Sequence, residues 1–473
     1  MDFAPPRADG PSPAGASGAI WLAAAVSALG GLLFGYDWVV IGGAKPFYEA
    51  AFGLVSPPAQ AWAVSCALIG CLAGATYSGV VSDRLGRKPA LLIAALLFTV
   101  SSIGTALASG FDVFVVWRIV GGVAIGMASG LSPLYIAEIA PARSRGRLVV
   151  LNQIAIVLGL LGAQIVNLLI AAPVPPHAGM AEIAASWNGT VGWRWMFAAT
   201  AVPAAGFLIG CIFLPESPRW LAQKGRWDDS AASLRRLGGE DYARAAIADI
   251  RVALAGAPGR SLRAILREPR FRRVLAIGMV LAILQQWCGI NVIFNYAQEI
   301  FASAGYAVSD TLFNIVITGV VNGVFTLVAL GTIERLGRRR LLLIGCAGLA
   351  IIYVALGGCY VMGLQGWPML LLVVAAIACY AMTLAPVTWV ALSEIFPGEA
   401  RGASMAAATT ALWGACFVLT YRFPLLNAAA GTGLTFWLYA IVCAAGFVFI
   451  LRRLPETKGK SLEEIERSWR VDD

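Results

Sequence analysis

Charge is what this chain has least of. Only 13% of its 473 residues are Asp, Glu, Lys or Arg, against roughly a quarter in soluble globular domains, which excludes a water-soluble fold. Histidine is nearly missing as well. The single one, His177, lies in a proline-rich stretch, so His-based triads and HExxH metal sites are excluded. No glycine-rich loop ending in Gly-Lys-Ser/Thr has the spacing of a nucleotide-binding P-loop, and ATP-driven pumping has no support. The nine cysteines (Cys66, Cys71, Cys211, Cys288, Cys346, Cys359, Cys379, Cys416 and Cys443) all fall inside apolar segments. With no loop framework, neither disulfides nor a zinc site are expected, and no metal or other cofactor is implied.

What is abundant is hydrophobic sequence: 59% of the residues, with a mean hydropathy of +0.77. Twelve apolar segments reach spanning length: 19–41, 60–82, 89–108, 112–136, 147–171, 194–214, 273–302, 310–333, 341–362, 367–393, 403–425 and 432–452. The fold class is an all-α, multi-pass membrane protein. The net charge of +9 invites a nucleic-acid reading, but its placement opposes one. All but four of the 35 Lys and Arg fall in the alternate connections and at the two ends; the exceptions are Lys45, Arg118, Arg194 and Arg422. This bias predicts both termini in the cytoplasm and anionic lipid, not nucleic acid, as the partner of the basic charge. Residues 1–18, rich in Pro, Gly, Ser and Ala, read as a disordered cytoplasmic tail without the basic flank of a cleavable signal.

Two features inside the apolar segments need an explanation. Asp37 follows the entry of segment 1 by 17 residues, about 25 Å along a helix, and Arg118 lies at similar depth in the oppositely running segment 4. The two can pair, either as a static lock between helices or as a proton switch, since an intramembrane acid is a functional candidate. Segment 7 carries Gln285-Gln286-Trp287-Cys288-Gly289-Ile290-Asn291-Val292-Ile293-Phe294-Asn295. An unsatisfied amide in hydrocarbon costs several kcal/mol, so these four uncharged amides either glue helices together or meet a neutral, hydroxyl-rich ligand near the midplane. Gln285 and Asn291 point about 120° apart on an unbroken helix, and converge only if the helix unwinds; Gly289 is the expected place.

The chain repeats itself. Asp83-Arg84-Leu85-Gly86-Arg87-Lys88 recurs as Glu334-Arg335-Leu336-Gly337-Arg338-Arg339. Glu138 with Arg145-Gly146 recurs as Glu394 with Arg401-Gly402, and Pro215-Glu216-Ser217 recurs as Pro455-Glu456-Thr457. Two related halves of six helices follow. The expected organisation is an N-terminal bundle over 19–214, a cytoplasmic helical linker over 215–272, a C-terminal bundle over 273–452, and a tail over 453–473. The linker holds amphipathic stretches at 227–237 and 242–254. The tail carries a short helix at 462–470, started by the capping-box spacing Ser461-Leu462-Glu463-Glu464.

These motifs in this order, from about residue 20 to 470, resemble the sugar porter branch of the major facilitator superfamily, the group of bacterial sugar/proton symporters and animal facilitative glucose transporters. The resemblance implies the major facilitator fold, with twelve transmembrane helices in two pseudo-symmetric six-helix bundles, and transport by alternating access. It places sugar contacts on Gln153, Gln285, Gln286, Asn291, Asn322 and Trp389, with Trp413 bordering the pocket. Carboxamides offer a donor and an acceptor together, which matches vicinal hydroxyls, and an indole face packs on the apolar face of a pyranose. Pro386 can break segment 10 and so set the depth of Trp389. The resemblance also implies that Asp37 and Arg118 couple transport to protons. A cytoplasmic network of Asp83, Arg87, Glu138, Arg145, Glu216, Glu334, Arg338, Glu394, Arg401 and Glu456 would hold the two bundles together when the cavity opens outward; by charge alone these residues could equally be a solvated rim.

This chain departs from the family pattern. Asn295 stands where a tyrosine is usual, Leu412 where an amide commonly precedes Trp413, and Glu334 where an Asp is usual. Arg422, near the end of segment 11, reads as a snorkelling side chain, or else as a group that helps bind a uronate. The expectation is a non-enzymatic, functionally monomeric sugar transporter of the bacterial cytoplasmic inner membrane, with sugar and proton as its small-molecule partners. Facilitated-diffusion uniport and a non-transporting sugar sensor are the alternatives.

Overall fold

The computed structural model describes residues 17–141, 144–175, 178–254, 266–397, 400–459 and 464. In chain order the helices are α1 Gly18–Phe52, α2 Pro57–Leu85, α3 Arg87–Ala106, α4 Phe111–Ile139, α5 Arg145–Ile170, α6 Met180–Ala185, a π-helical turn Asn188–Gly192, α7 Trp193–Ala198, α8 Ala201–Phe213, α9 Pro218–Gln223 and α10 Trp227–Leu254. There follow α11 Pro269–Trp287, α12 Ile290–Asn295, α13 Ala297–Ser303, α14 Val308–Leu336, α15 Arg338–Val361, α16 Trp367–Met382, α17 Leu384–Ile395 and α18 Arg401–Arg453. Among the described residues eleven helical stretches are long and apolar enough to cross a membrane. The last of them, α18, is 53 residues long, and Gly431 breaks it with φ 79° and ψ 163°. That break falls between expected segments 11 and 12.

Helices run past their apolar cores at both ends. Ser17 caps α1 by accepting from the Ile20 amide at 3.3 Å, and Gly53 ends it in the left-handed region. Segment 10 does break, but at Thr383, with Pro386 in the first turn of α17. The ring removes the N–H that would have bonded back to Met382, and a first helical turn is where proline does no harm. The linker stretch from 227 to 254 is one element kinked at Gly239. Tyr242 on α10 donates to Ile139 O at 3.0 Å, which ties the linker to the end of α4. The expected helix at 462–470 lies outside the described residues except for Glu464.

The sequence repeat is also a structural repeat. Gly86 and Gly337 take the same left-handed turn (φ 108°, ψ 166° and φ 87°, ψ 161°) between α2 and α3 and between α14 and α15. Glu216 accepts from the Arg87 amide at 2.9 Å, and Glu456 accepts from the Arg338 amide at 3.0 Å. Arg87 donates to Glu138 at 3.1 Å and Arg338 donates to Glu394 at 3.1 Å. Even the second donor is matched, Ser217 on Glu138 and Thr457 on Glu394. A Cβ on either glycine would collide with the glutamate, so the turn and the anion pocket specify each other. These loops form one basic face of the molecule.

Candidate functional site

Between α11 and α12 the chain reverses its helical sense for one residue. Gly289 sits at φ 86° and ψ −5°, a conformation that costs other L-residues about 1–2 kcal/mol. The turn brings the amides of segment 7 together. Asn291 donates to Gln286 Oε1, Gln286 donates to Gln285 Oε1 at 2.6 Å, and Gln285 donates to the Tyr380 hydroxyl at 2.6 Å. All three amides are at least nine-tenths buried. In this run each side chain spends a donor on its neighbour and keeps further donor and acceptor capacity, as a ligand with vicinal hydroxyls requires. Tyr380 of α16 was not among the expected site residues; a hydroxyl on an apolar helix has no local signature.

Asn295 does not join this run. It is 3% exposed and lines a small cavity with Trp38, Val64, Cys71 and Arg118. Arg118 in turn donates through Nη1 to both carboxylate oxygens of Asp37 at 3.0 Å, and both side chains are buried. The expected pair therefore forms, one cavity away from Asn295. Trp413 is buried against Phe34 and Trp38, with ring centroids 5.9 and 5.7 Å away, and so links α18 to α1. Asn322 is buried on α14, and Gln153 is half-buried on α5, which packs against α14. No described hydrogen bond joins either of them to the amide run. Trp389 is 36% exposed on α17, and Arg422 is exposed on α18.

The charged groups of the basic face pair within each half. Arg87 holds Asp83 and Glu138, and Arg338 holds Glu334 and Glu394. Arg401 donates to Phe396 O at 3.3 Å, and Arg145 has no ion pair among the described residues. The halves pack along α2 and α18, where the Thr76 and Thr410 hydroxyls lie 3.5 Å apart, and they also meet at the opposite face. There α1 approaches α12 closely enough that a Cβ on Gly42 would lie 2.6 Å from Phe294 O, and the Val174 amide donates to Ser309 at 3.1 Å. Lys45 of α1 reaches Glu299 of α13 in the same region. Lys45 stood out in the sequence as a basic residue off the expected cytoplasmic side. Its partners, Glu49 one turn on and Glu299 inside segment 7, were not singled out in the sequence.

The family profile "Sugar (and other) transporter" matches residues 23–469. The D-xylose-proton symporter of Escherichia coli K12 is 38% identical over 475 residues, with 94% of each chain covered. The arabinose-proton symporter of Bacillus subtilis is 37% identical over 453 residues, covering 96% of this chain and 95% of that protein. Among solved structures, the inward-open conformation of the xylose transporter XylE from E. coli superposes with a TM-score of 0.81 at 36% identity, over 95% of this chain and 100% of that one.

Proposed function

The chain belongs to the sugar porter family of the major facilitator superfamily, and on that premise we propose that it is a proton-coupled importer of a monosaccharide, with pentoses the foremost class. The observation that carries this reading is the buried, uncharged run Gln285, Gln286 and Asn291, gathered by the turn at Gly289, with Asn295 of the same segment lining a cavity beside Arg118. Neutral amides suit sugar hydroxyls, and the acid suits a proton. The D-xylose-proton and arabinose-proton symporters among its relatives support the substrate class.

With α18 counted as two crossings around Gly431, the chain spans the membrane twelve times, in bundles covering 19–214 and 273–452. The linker at 215–272, the tail at 453–473 and both termini lie in the cytoplasm of a bacterial cell, and the monomer is the transport unit. The basic face is then the cytoplasmic face. With the halves joined at the opposite face, the molecule is in an inward-facing state, in keeping with its likeness to inward-open XylE. Gln153, Gln285, Gln286, Asn291, Asn322, Trp389 and Trp413 surround the sugar, and Asn295 shapes the side nearest Arg118. Protonation of Asp37 releases Arg118 and permits return between states. The two matched charge clusters keep each bundle's cytoplasmic end rigid, and they meet across the bundles only when the molecule faces outward.

The test is uptake of D-xylose, L-arabinose, D-glucose and a uronate into proteoliposomes, with and without an inward proton gradient. Accumulation of a pentose driven by the gradient is expected, with Asp37→Asn keeping exchange and losing accumulation. Equilibration that ignores the gradient would leave uniport, and binding without uptake would leave a sensor.

A further inference from the structure

At the face opposite the basic loops, one ammonium serves two carboxylates. Lys45 is 2% exposed, and its Nζ lies 2.6 Å from Glu49 Oε1 on the same helix and in contact with Glu299 Oε1 on α13, in the other half. The ring of Tyr296 lies beneath the ammonium at 5.5 Å. Two oxygens that share one nitrogen are within about 6 Å of each other, twice a hydrogen-bond length. The cluster's formal charges sum to minus one; Glu49 is 7% exposed and the Glu299 side chain 28%, so the excess charge is partly withdrawn from water. Glu299 Oε2 and the Tyr48 hydroxyl are buried with no hydrogen-bond partner. A lone excess negative charge removed from water is expensive, and a buried bare carboxylate oxygen is where a proton removes that expense.

We propose that the Lys45–Glu49–Glu299 cluster is a second proton-binding site, assembled only when the halves close at this face. On opening, Glu299 leaves with α13, and Lys45 and Glu49 remain as a neutral pair on α1. Closing brings the second carboxylate back, and the cluster takes one proton from the solvent; no bond other than the new O–H is made. Because the closed state binds one more proton than the open state, falling pH favours closure and rising pH favours opening. The other ionisable groups within electrostatic reach are Tyr48 on α1, Tyr296 on the segment between α12 and α13, Arg118 on α4, Cys66 on α2 and Tyr439 on α18. Of these only Arg118 is a cation, and its Nη1 is bonded to both carboxylate oxygens of Asp37. The proposal deepens the transport reading: a proton captured from outside would close the outer end behind a bound sugar.

The test needs no sugar. Hydrogen–deuterium exchange of the whole chain in lipid nanodiscs is followed at residues 43–55 and 290–303 from about pH 8 to about pH 5, corrected for intrinsic exchange. A one-unit difference in proton affinity between states shifts their ratio about tenfold, so protection of both segments should rise by roughly that factor as the pH falls. Glu299→Gln should be flat and protected throughout, and Lys45→Met should lose protection at every pH above the carboxylate range. A wild type without pH dependence, or a Glu299→Gln chain that tracks it, overturns the proposal. The conservative Gln variant keeps the test usable if Lys45→Met fails to fold. A pH-dependent closure without gradient-driven uptake would sink symport and leave this site standing.

Discussion

Asn295 and Gln285 sit ten residues apart on one segment, and the structure gives them different surroundings. Gln285 bonds Tyr380 and receives Gln286, so Gln285→Ala removes one ligand donor and strands two neighbours. Sugar affinity should fall by about 1–3 kcal/mol, roughly five- to 150-fold in Kd, measured by titration calorimetry. Asn295 faces the cavity beside Trp38 and Arg118. A tyrosine there has to displace one of them, at about 1–3 kcal/mol for overpacking. Asn295→Tyr should therefore both lower the melting temperature and change the ranking of sugars in a competition assay. An unchanged ranking would make Asn295 scaffold. For the Asp37–Arg118 pair, Asp37→Ala leaves a buried guanidinium alone and should cost about 3–5 kcal/mol, while Asp37→Asn, which keeps an acceptor, should melt close to wild type. The residue types were legible from sequence, and so was the Asp37–Arg118 pairing; that Asn295 parts company with its neighbouring amides was not, because a side chain's direction after an unwound residue depends on the turn.

The element that matters most is the break at Gly289. Its left-handed backbone is disfavoured for alanine by about 1–2 kcal/mol, and a Cβ would lie 2.7 Å from Tyr439 Cδ2. Gly289→Ala should keep its membrane insertion and its far-ultraviolet helicity while losing sugar-dependent quenching of tryptophan fluorescence. This break could be foreseen, because six residues on a regular helix keep Gln285 and Asn291 on different faces and glycine is the cheap place to turn. The break in segment 10 could be foreseen only in part. Pro386 announced it, but the helix ends at Thr383, since proline disrupts the turn before it and tolerates the one it begins.

Across the whole molecule, the basic face consists of two copies of one device. Arg87 and Glu138 are both buried, each with a side chain about 6% exposed. Arg145 has no ion pair among the described residues. Arg87→Ala should thus lower the melting temperature by the equivalent of about 3–5 kcal/mol, and Arg145→Ala by less than about 1 kcal/mol, with the first effect insensitive to salt. Equal effects would show that the Arg87 pair is not a structural lock. The family resemblance implied that these residues join the two bundles when the cavity opens outward, and charge alone allowed a solvated rim. In this state their contacts stay within each half, and it is the Lys45–Glu299 pair at the opposite face that crosses.

The sequence by itself determined the class of molecule, the number of apolar segments, the internal repeat and the residue types of the site. These depend on composition and on periodicity along the chain, which no tertiary contact can alter. Only the tertiary structure decided which amides meet, that Asn295 turns toward Arg118, and that Lys45 is buried between carboxylates from two halves. Those outcomes depend on distances between helices far apart in sequence, and on which of two alternating states the halves adopt.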